Sequence, residues 1–158
     1  MRKRETRAAL YVVLPLLAAC DQILVREPRP ADLAGVYHLT AETRTFLENE
    51  KRYANVPDST IELRADGSLI IRDLPDCALD GFGNAGGRFL SGHGTWTINK
   101  EFIGYGLWWT ILPGESLPAG AIGGTAIRRR SPPYELEVNV GDPDGGQRLR
   151  YQRTEPSG

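Results

Sequence analysis

The sequence predicts an all-β domain, an antiparallel up-and-down barrel of about eight strands. Two observations carry this expectation. From Gly35 onward, apolar and polar residues alternate in short runs, the period of two that sends successive side chains to opposite faces of a sheet. Clusters of Gly, Pro and Asp separate these runs at the spacing expected of a sandwich or a barrel. Helical periodicity is nearly absent, apart from a turn or two between Glu42 and Tyr53. A closed barrel is favoured because closure removes the unpaired edges of an open sheet.

The first strand covers residues 35–40, and the second covers 59–64, with Ile61 and Leu63 set against Glu62 and Arg64. Asp66-Gly67 predicts a two-residue primed turn, in which both central residues take positive φ. The chain returns over 68–73 with Leu69 and Ile71 inward. Residues 74–91, holding Pro75, Cys77 and glycines 81, 83, 86 and 87, read as a long irregular loop. Strand four covers 94–98 and Asn99-Lys100-Glu101 turns the chain. Strand five covers 102–112, with Ile103, Tyr105, Leu107, Trp109 and Ile111 on the core face and Phe102, Gly104, Gly106, Trp108 and Thr110 on the other. Strand six runs over about 121–129 and is broken by Ser131-Pro132-Pro133. Strand seven alternates Leu136, Val138 and Val140 with Glu135, Glu137 and Asn139. Residues 141–146 turn, and 147–154 close the sheet with Leu149 and Tyr151 on one face.

The N-terminus is of another kind. Arg2, Lys3, Arg4 and Arg7 precede an apolar run over 8–19 that is interrupted by Pro15 and ends in Leu17-Ala18-Ala19-Cys20. The run is shorter than the roughly 20 residues that span a bilayer. This layout resembles a bacterial lipoprotein signal peptide over 1–19, in which cleavage leaves a lipidated Cys20. The resemblance implies a protein of the bacterial cell envelope, held on the extracytoplasmic side of a membrane by acyl chains such as palmitate on Cys20. Residues 20–33, with Pro28 and Pro30, are then the tether, and 34–158 the barrel domain.

Removing that segment takes away four of the 19 basic residues and one of the 20 acidic ones, leaving a formal charge of −4. A mildly acidic domain of this kind is not suited to nucleic acid, which rewards a basic face. With Cys20 modified, Cys77 has no partner for an intramolecular disulfide, and no nearby His or Lys lowers its pKa, so a buried inert thiol is expected. His38 and His93 lie on separate segments, and no Gly-x-Ser-x-Gly motif supplies a nucleophile. Two His and one Met make no transition-metal set. Asp142-Pro143-Asp144-Gly145-Gly146 has some oxygen ligands of a calcium loop but not the remaining ones, and reads as a turn. No cofactor, metal or catalytic residue is therefore expected.

Gly35-Val36-Tyr37 resembles the opening of lipocalin and avidin-like barrels, with Tyr37 where those families carry Trp. Ala65-Asp66-Gly67, the Leu-Pro-x-Cys run ending at Cys77, Gly94-Thr95-Trp96 and the 141–145 turn resemble a group of uncharacterised bacterial lipoproteins, which implies no particular activity. Two functions are expected from these readings. One is a non-catalytic protein-interaction module with a filled barrel and an outer patch either at Trp108, flanked by Gly104 and Gly106, or on the expected 74–91 loop. The other is a small-ligand carrier or sensor whose open interior is lined by Tyr37, Tyr105, Trp109 and Tyr151. His93, between two glycines beside the expected loop, is a further candidate binding residue, and with Asp76 or Asp80 it supplies a third, enzymatic reading. Arg128-Arg129-Arg130 reads as a solvated strand end. The 18 glycines and the few large residues of strand six favour the filled barrel.

Overall fold

Eight antiparallel strands follow one another in chain order around a closed barrel, the last pairing back onto the first. The computed structural model describes residues 27–101, 104–114, 116–129, 132–140 and 146–154. The expected signal segment, Cys20 and the 141–145 turn lie outside the described residues. The elements are α1 (Pro30–Leu33), β1 (Gly35–Leu39), α2 (Ala41–Asn49), β2 (Thr60–Leu63), β3 (Ser68–Pro75), α3 (Cys77–Asn84), β4 (Phe89–Lys100), β5 (Tyr105–Ile111), β6 (Gly120–Arg128), β7 (Glu135–Asn139) and β8 (Arg148–Arg153).

The alternation read from the sequence is the alternation of burial. Ile61 and Leu63 on β2, Leu69 and Ile71 on β3, Leu107, Trp109 and Ile111 on β5, Leu136 and Val138 on β7, and Leu149 and Tyr151 on β8 all point into one apolar cluster. Each fully buried Leu or Ile contributes about 1.5–3 kcal/mol. A one-residue slip would turn a whole strand's set outward, so the same residues fix the register. Trp109, Tyr37, Tyr53 and Tyr151 are the bulkiest of the cluster's fully buried members.

Strand direction places the ends. At one end, Leu33 of α1 plugs the mouth, with Tyr37 Oη donating to the Leu33 carbonyl at 2.8 Å and Arg153 Nη1 to the Asp32 carbonyl at 3.1 Å. Residues 30–33, expected as tether, thus form a docked helical turn because Leu33 finds an apolar seat. At the other end, α2 follows β1 and α3 follows β3. α2 is one full helix where only a turn or two was expected. Thr40 caps it by accepting from the Thr43 N–H, and Thr43 and Leu47 form its buried side.

Two further expectations are corrected. The β2–β3 connection is not a two-residue primed turn, since Gly67 takes positive φ (+84°) and Asp66 does not. Gly67 N–H donates to the Arg64 carbonyl and Arg64 N–H to that of Ser68, a three-residue loop ending in a left-handed glycine. The stretch 74–91 is not an irregular loop. β3 continues to Pro75 through a bulge between Ile71 and Leu74, where Asp73 adopts φ +55° and its N–H donates to Ser91 Oγ at 3.0 Å. The extra residue restores the inward phase, so Leu74 is buried. α3 follows, and β4 begins at Phe89, five residues before the expected start at Gly94.

Candidate functional site

Trp108 stands on the outer wall, 46 % exposed, between Leu107 and Trp109, which are both buried. Its neighbour on β4 is Thr97. On the other side the β5–β6 register shifts. Leu107 pairs with Thr125 and Trp109 with Ile122, so Trp108 alone faces two residues of β6, Gly123 and Gly124. Neither glycine carries a side chain to cover the indole. A flat aromatic surface rimmed by Thr95, Thr97 and Thr110 results, all three exposed. The sequence placed Trp108 outward by alternation alone, whereas the paired glycines opposite it follow only from the register.

The interior candidates are placed as follows. Tyr37 and Trp109 have no exposed surface, and Tyr151 pairs its hydroxyl with Ser59 Oγ at 2.8 Å. Burial pushes the Tyr37 phenol up to about 12 and raises that of Tyr151 as well. Tyr105 is partly buried and packs against the edge of the cluster. The Trp109 Nε1 and Thr125 Oγ1 atoms are buried with no hydrogen-bond partner among the described residues.

His93 does not lie beside a loop. It sits within β4 opposite Ile70, exposed to solvent. Asp76 lies past the Pro75–Phe89 pair at the end of β3, and Phe89 is four positions from His93 along β4. That separation is roughly 13 Å of strand, and Asp76 is buried, so the fold does not bring His93 and Asp76 together. Asp80 falls in α3, and its side chain lies outside the described ones.

Asp76 instead anchors the α3 end. Its side chain, 1 % exposed, accepts from Tyr53 Oη at 2.6 Å, from Gly86 N–H at 2.9 Å and from Arg88 Nε at 3.3 Å. Burial works to raise its pKa, but these donors outweigh it and hold the carboxyl below its ordinary value. Tyr53 Oη also accepts from the Cys77 N–H at 3.0 Å, and its ring meets Phe89 edge-on at 5.6 Å between centroids. Cys77 is a free, buried thiol, pushed up to about 11 by burial and secondarily by the Asp76 charge.

A second buried carboxylate, missed in the sequence, is Glu137 on the outer face of β7. Arg128 on β6 and Arg148 on β8 donate to its Oε2 at 2.7 and 2.9 Å, and Arg150 lies 3.3 Å from Oε1. Burial favours the neutral acid, yet the two hydrogen bonds and their charges lower the Glu137 pKa. Arg128 is therefore paired and only 27 % exposed, not solvated, while Arg129, 48 % exposed, pairs with Glu135 at 2.6 Å and Arg130 lies outside the described residues. Glu135 and Glu137 alternating against Arg148 and Arg150 on the next strand was the available signal.

Among the described residues no group of three or more His, Cys, Asp or Glu gathers as metal ligands would, and no helix is long and apolar enough to cross a membrane. The molecule is thus a closed eight-stranded antiparallel barrel with an aromatic and an arginine-rich patch on its outer wall. Comparison with family models, curated proteins and solved structures returns no match.

Proposed function

We propose that this chain is a lipid-anchored, extracytoplasmic, non-catalytic protein-interaction module of the bacterial cell envelope that meets its partner through the wall around Trp108. The observation that carries the reading is the contrast between adjacent tryptophans. Trp109 is fully buried and Trp108 is 46 % exposed beside two glycines. Tryptophan is among the residue types most enriched at interface anchors. Six residues lie between Cys20 and Glu27, at most about 25 Å of chain from one to the other, so an anchor at Cys20 keeps the barrel near its membrane. The Leu17-Ala18-Ala19-Cys20 pattern supports the anchor, and the large fully buried side chains inside the barrel, Trp109, Tyr37 and Tyr151, favour interaction over carriage.

The test is native mass spectrometry of the chain extracted gently from its host's envelope, beside Trp108→Ala. A stoichiometric protein complex that Trp108→Ala loses, with its melting temperature unchanged, is the expected result. The second reading, a lipocalin-like small-ligand carrier or sensor, is favoured by the unpartnered Trp109 Nε1 and Thr125 Oγ1 atoms in the interior. A retained mass of a few hundred daltons, indifferent to Trp108→Ala, would replace the first reading with that one.

A further inference from the structure

The wall of β6, β7 and β8 carries a second feature. Glu137 is 8 % exposed and engages three guanidinium groups, those of Arg128, Arg148 and Arg150. Glu42, 82 % exposed and 3.6 Å from Arg150 Nη1, is an additional, solvated counter-charge. Among the described residues three cations thus face one buried and one solvated carboxylate, a surplus of positive charge. A guanidinium has five N–H donors. Glu137 engages Nη1 of Arg148 and Nε of Arg150, which leaves most of each fork uncommitted to it. Because Glu137 holds both side chains from the strand beneath, little conformational freedom remains to be lost when they engage a ligand.

Arg148 and Arg150 also form one side of a cleft of about 290 Å³. The opposite side is α2, which contributes Glu42, Thr43 and the 38 % exposed ring of Phe46. Glu42 and Thr43 belong to the first turn of α2, the positive end of its dipole. A cleft at the lower bound of ligand pockets suits one anionic head with a short apolar group. Arginine forks match the paired oxygens of phosphate-like anions.

We propose that this cleft binds a phosphate-type oxyanion bearing an apolar group, its oxygens held by Arg148 and Arg150 and its apolar part by Phe46. The site is independent of Trp108, so either proposal can fail alone. The experiment titrates the full chain, in nonionic detergent at low ionic strength, with hexyl phosphate, following the arginine Nε–H signals by NMR. Saturable binding is expected, about tenfold tighter than for inorganic phosphate, the effect of one or two buried methylenes. Phe46→Ala should abolish that advantage, and Arg148→Lys should weaken binding several-fold by losing the fork. Glu42→Gln, at an exposed position that leaves the fold intact, should tighten binding by removing the competing carboxylate. Displacement of hexyl phosphate by phosphatidylglycerol in mixed micelles would assign the head to a lipid. Displacement by glucose phosphate and not by the lipid would assign it to a soluble phosphate ester. No saturable binding, or binding that neither Glu42→Gln nor Arg148→Lys alters, would overturn the proposal.

Discussion

Tyr53→Phe removes one oxygen from the α3 end of the barrel, and the consequence can be worked from the contacts. That oxygen donates to the Asp76 carboxylate at 2.6 Å and accepts from the Cys77 N–H at 3.0 Å. A hydrogen bond to a charged group contributes about 1.5–3 kcal/mol, and a buried N–H left without an acceptor costs about 1–3 kcal/mol more. The expected loss at neutral pH is therefore about 3–5 kcal/mol, a large share of the roughly 5–15 kcal/mol that stabilises a typical domain. The loss should depend on pH in a defined direction. Asp76 has a folded pKa below its ordinary value, so its contribution is fully present above the ordinary carboxylate range and fades as pH falls through the folded pKa. Tyr53 is the first of the donors that lower it, so the variant has less of this contribution to lose. Wild type and variant should converge as pH is taken from about 6 to about 3, while the acid sensitivity of Glu137 is common to both. Urea unfolding of the full chain, followed by tryptophan fluorescence across that range, measures the difference. A deficit under about 1 kcal/mol at neutral pH, or one that does not shrink with acid, would refute the reasoning.

Gly94→Ala should destabilise by about 2 kcal/mol or more, roughly 4–8 °C in Tm, because a Cβ there collides with the Thr110 carbonyl oxygen, backbone that cannot step aside. Thermal unfolding checks it, and an unchanged Tm would contradict the close β4–β5 approach. Thr125→Val replaces a fully buried hydroxyl that has no partner among the described residues, so calorimetry should find a gain of about 1 kcal/mol. Cys77, buried and with its thiol pushed up to about 11, should resist a thiol-labelling reagent at pH about 8 in the native chain and react readily in urea. Fast native labelling would mean that the α3 end opens.

The parts of the fold legible in the sequence are those set by period-two alternation. Trp108 outward with Trp109 inward, and Leu136 and Val138 inward, required only that each strand have two faces. The bulge at Asp73 was not legible, because a left-handed aspartate looks like an ordinary strand residue until Leu74 is seen to point inward. α3 was hidden by its glycines at 81 and 83, which disfavour a helix by propensity. Of the candidate sites, Trp108 was readable from one strand. Glu137 was legible only as charges alternating across two strands, because its three partners come from β6 and β8 and converge only when the barrel registers them.

The two buried carboxylates answer one physical demand with opposite results. An ionised carboxylate removed from water needs donors. Asp76 draws its donors from Tyr53, the Gly86 backbone and Arg88, whose side chain is 71 % exposed, so its network stays at the α3 end. Glu137 draws its donors from three arginines, which bring more charge than one carboxylate cancels and keep it on the outer wall. That arginine wall adjoins the Trp108 wall. Ala126 of β6 pairs with Gly106 on one side and with Glu137 on the other, and Gly123 and Gly124 lie further along the same strand. Only small residues of β6 therefore separate the exposed indole from Glu137. A partner seated on Trp108 need cross a single strand to reach Arg128, which pairs the two residue types most enriched at interface anchors on one contiguous surface.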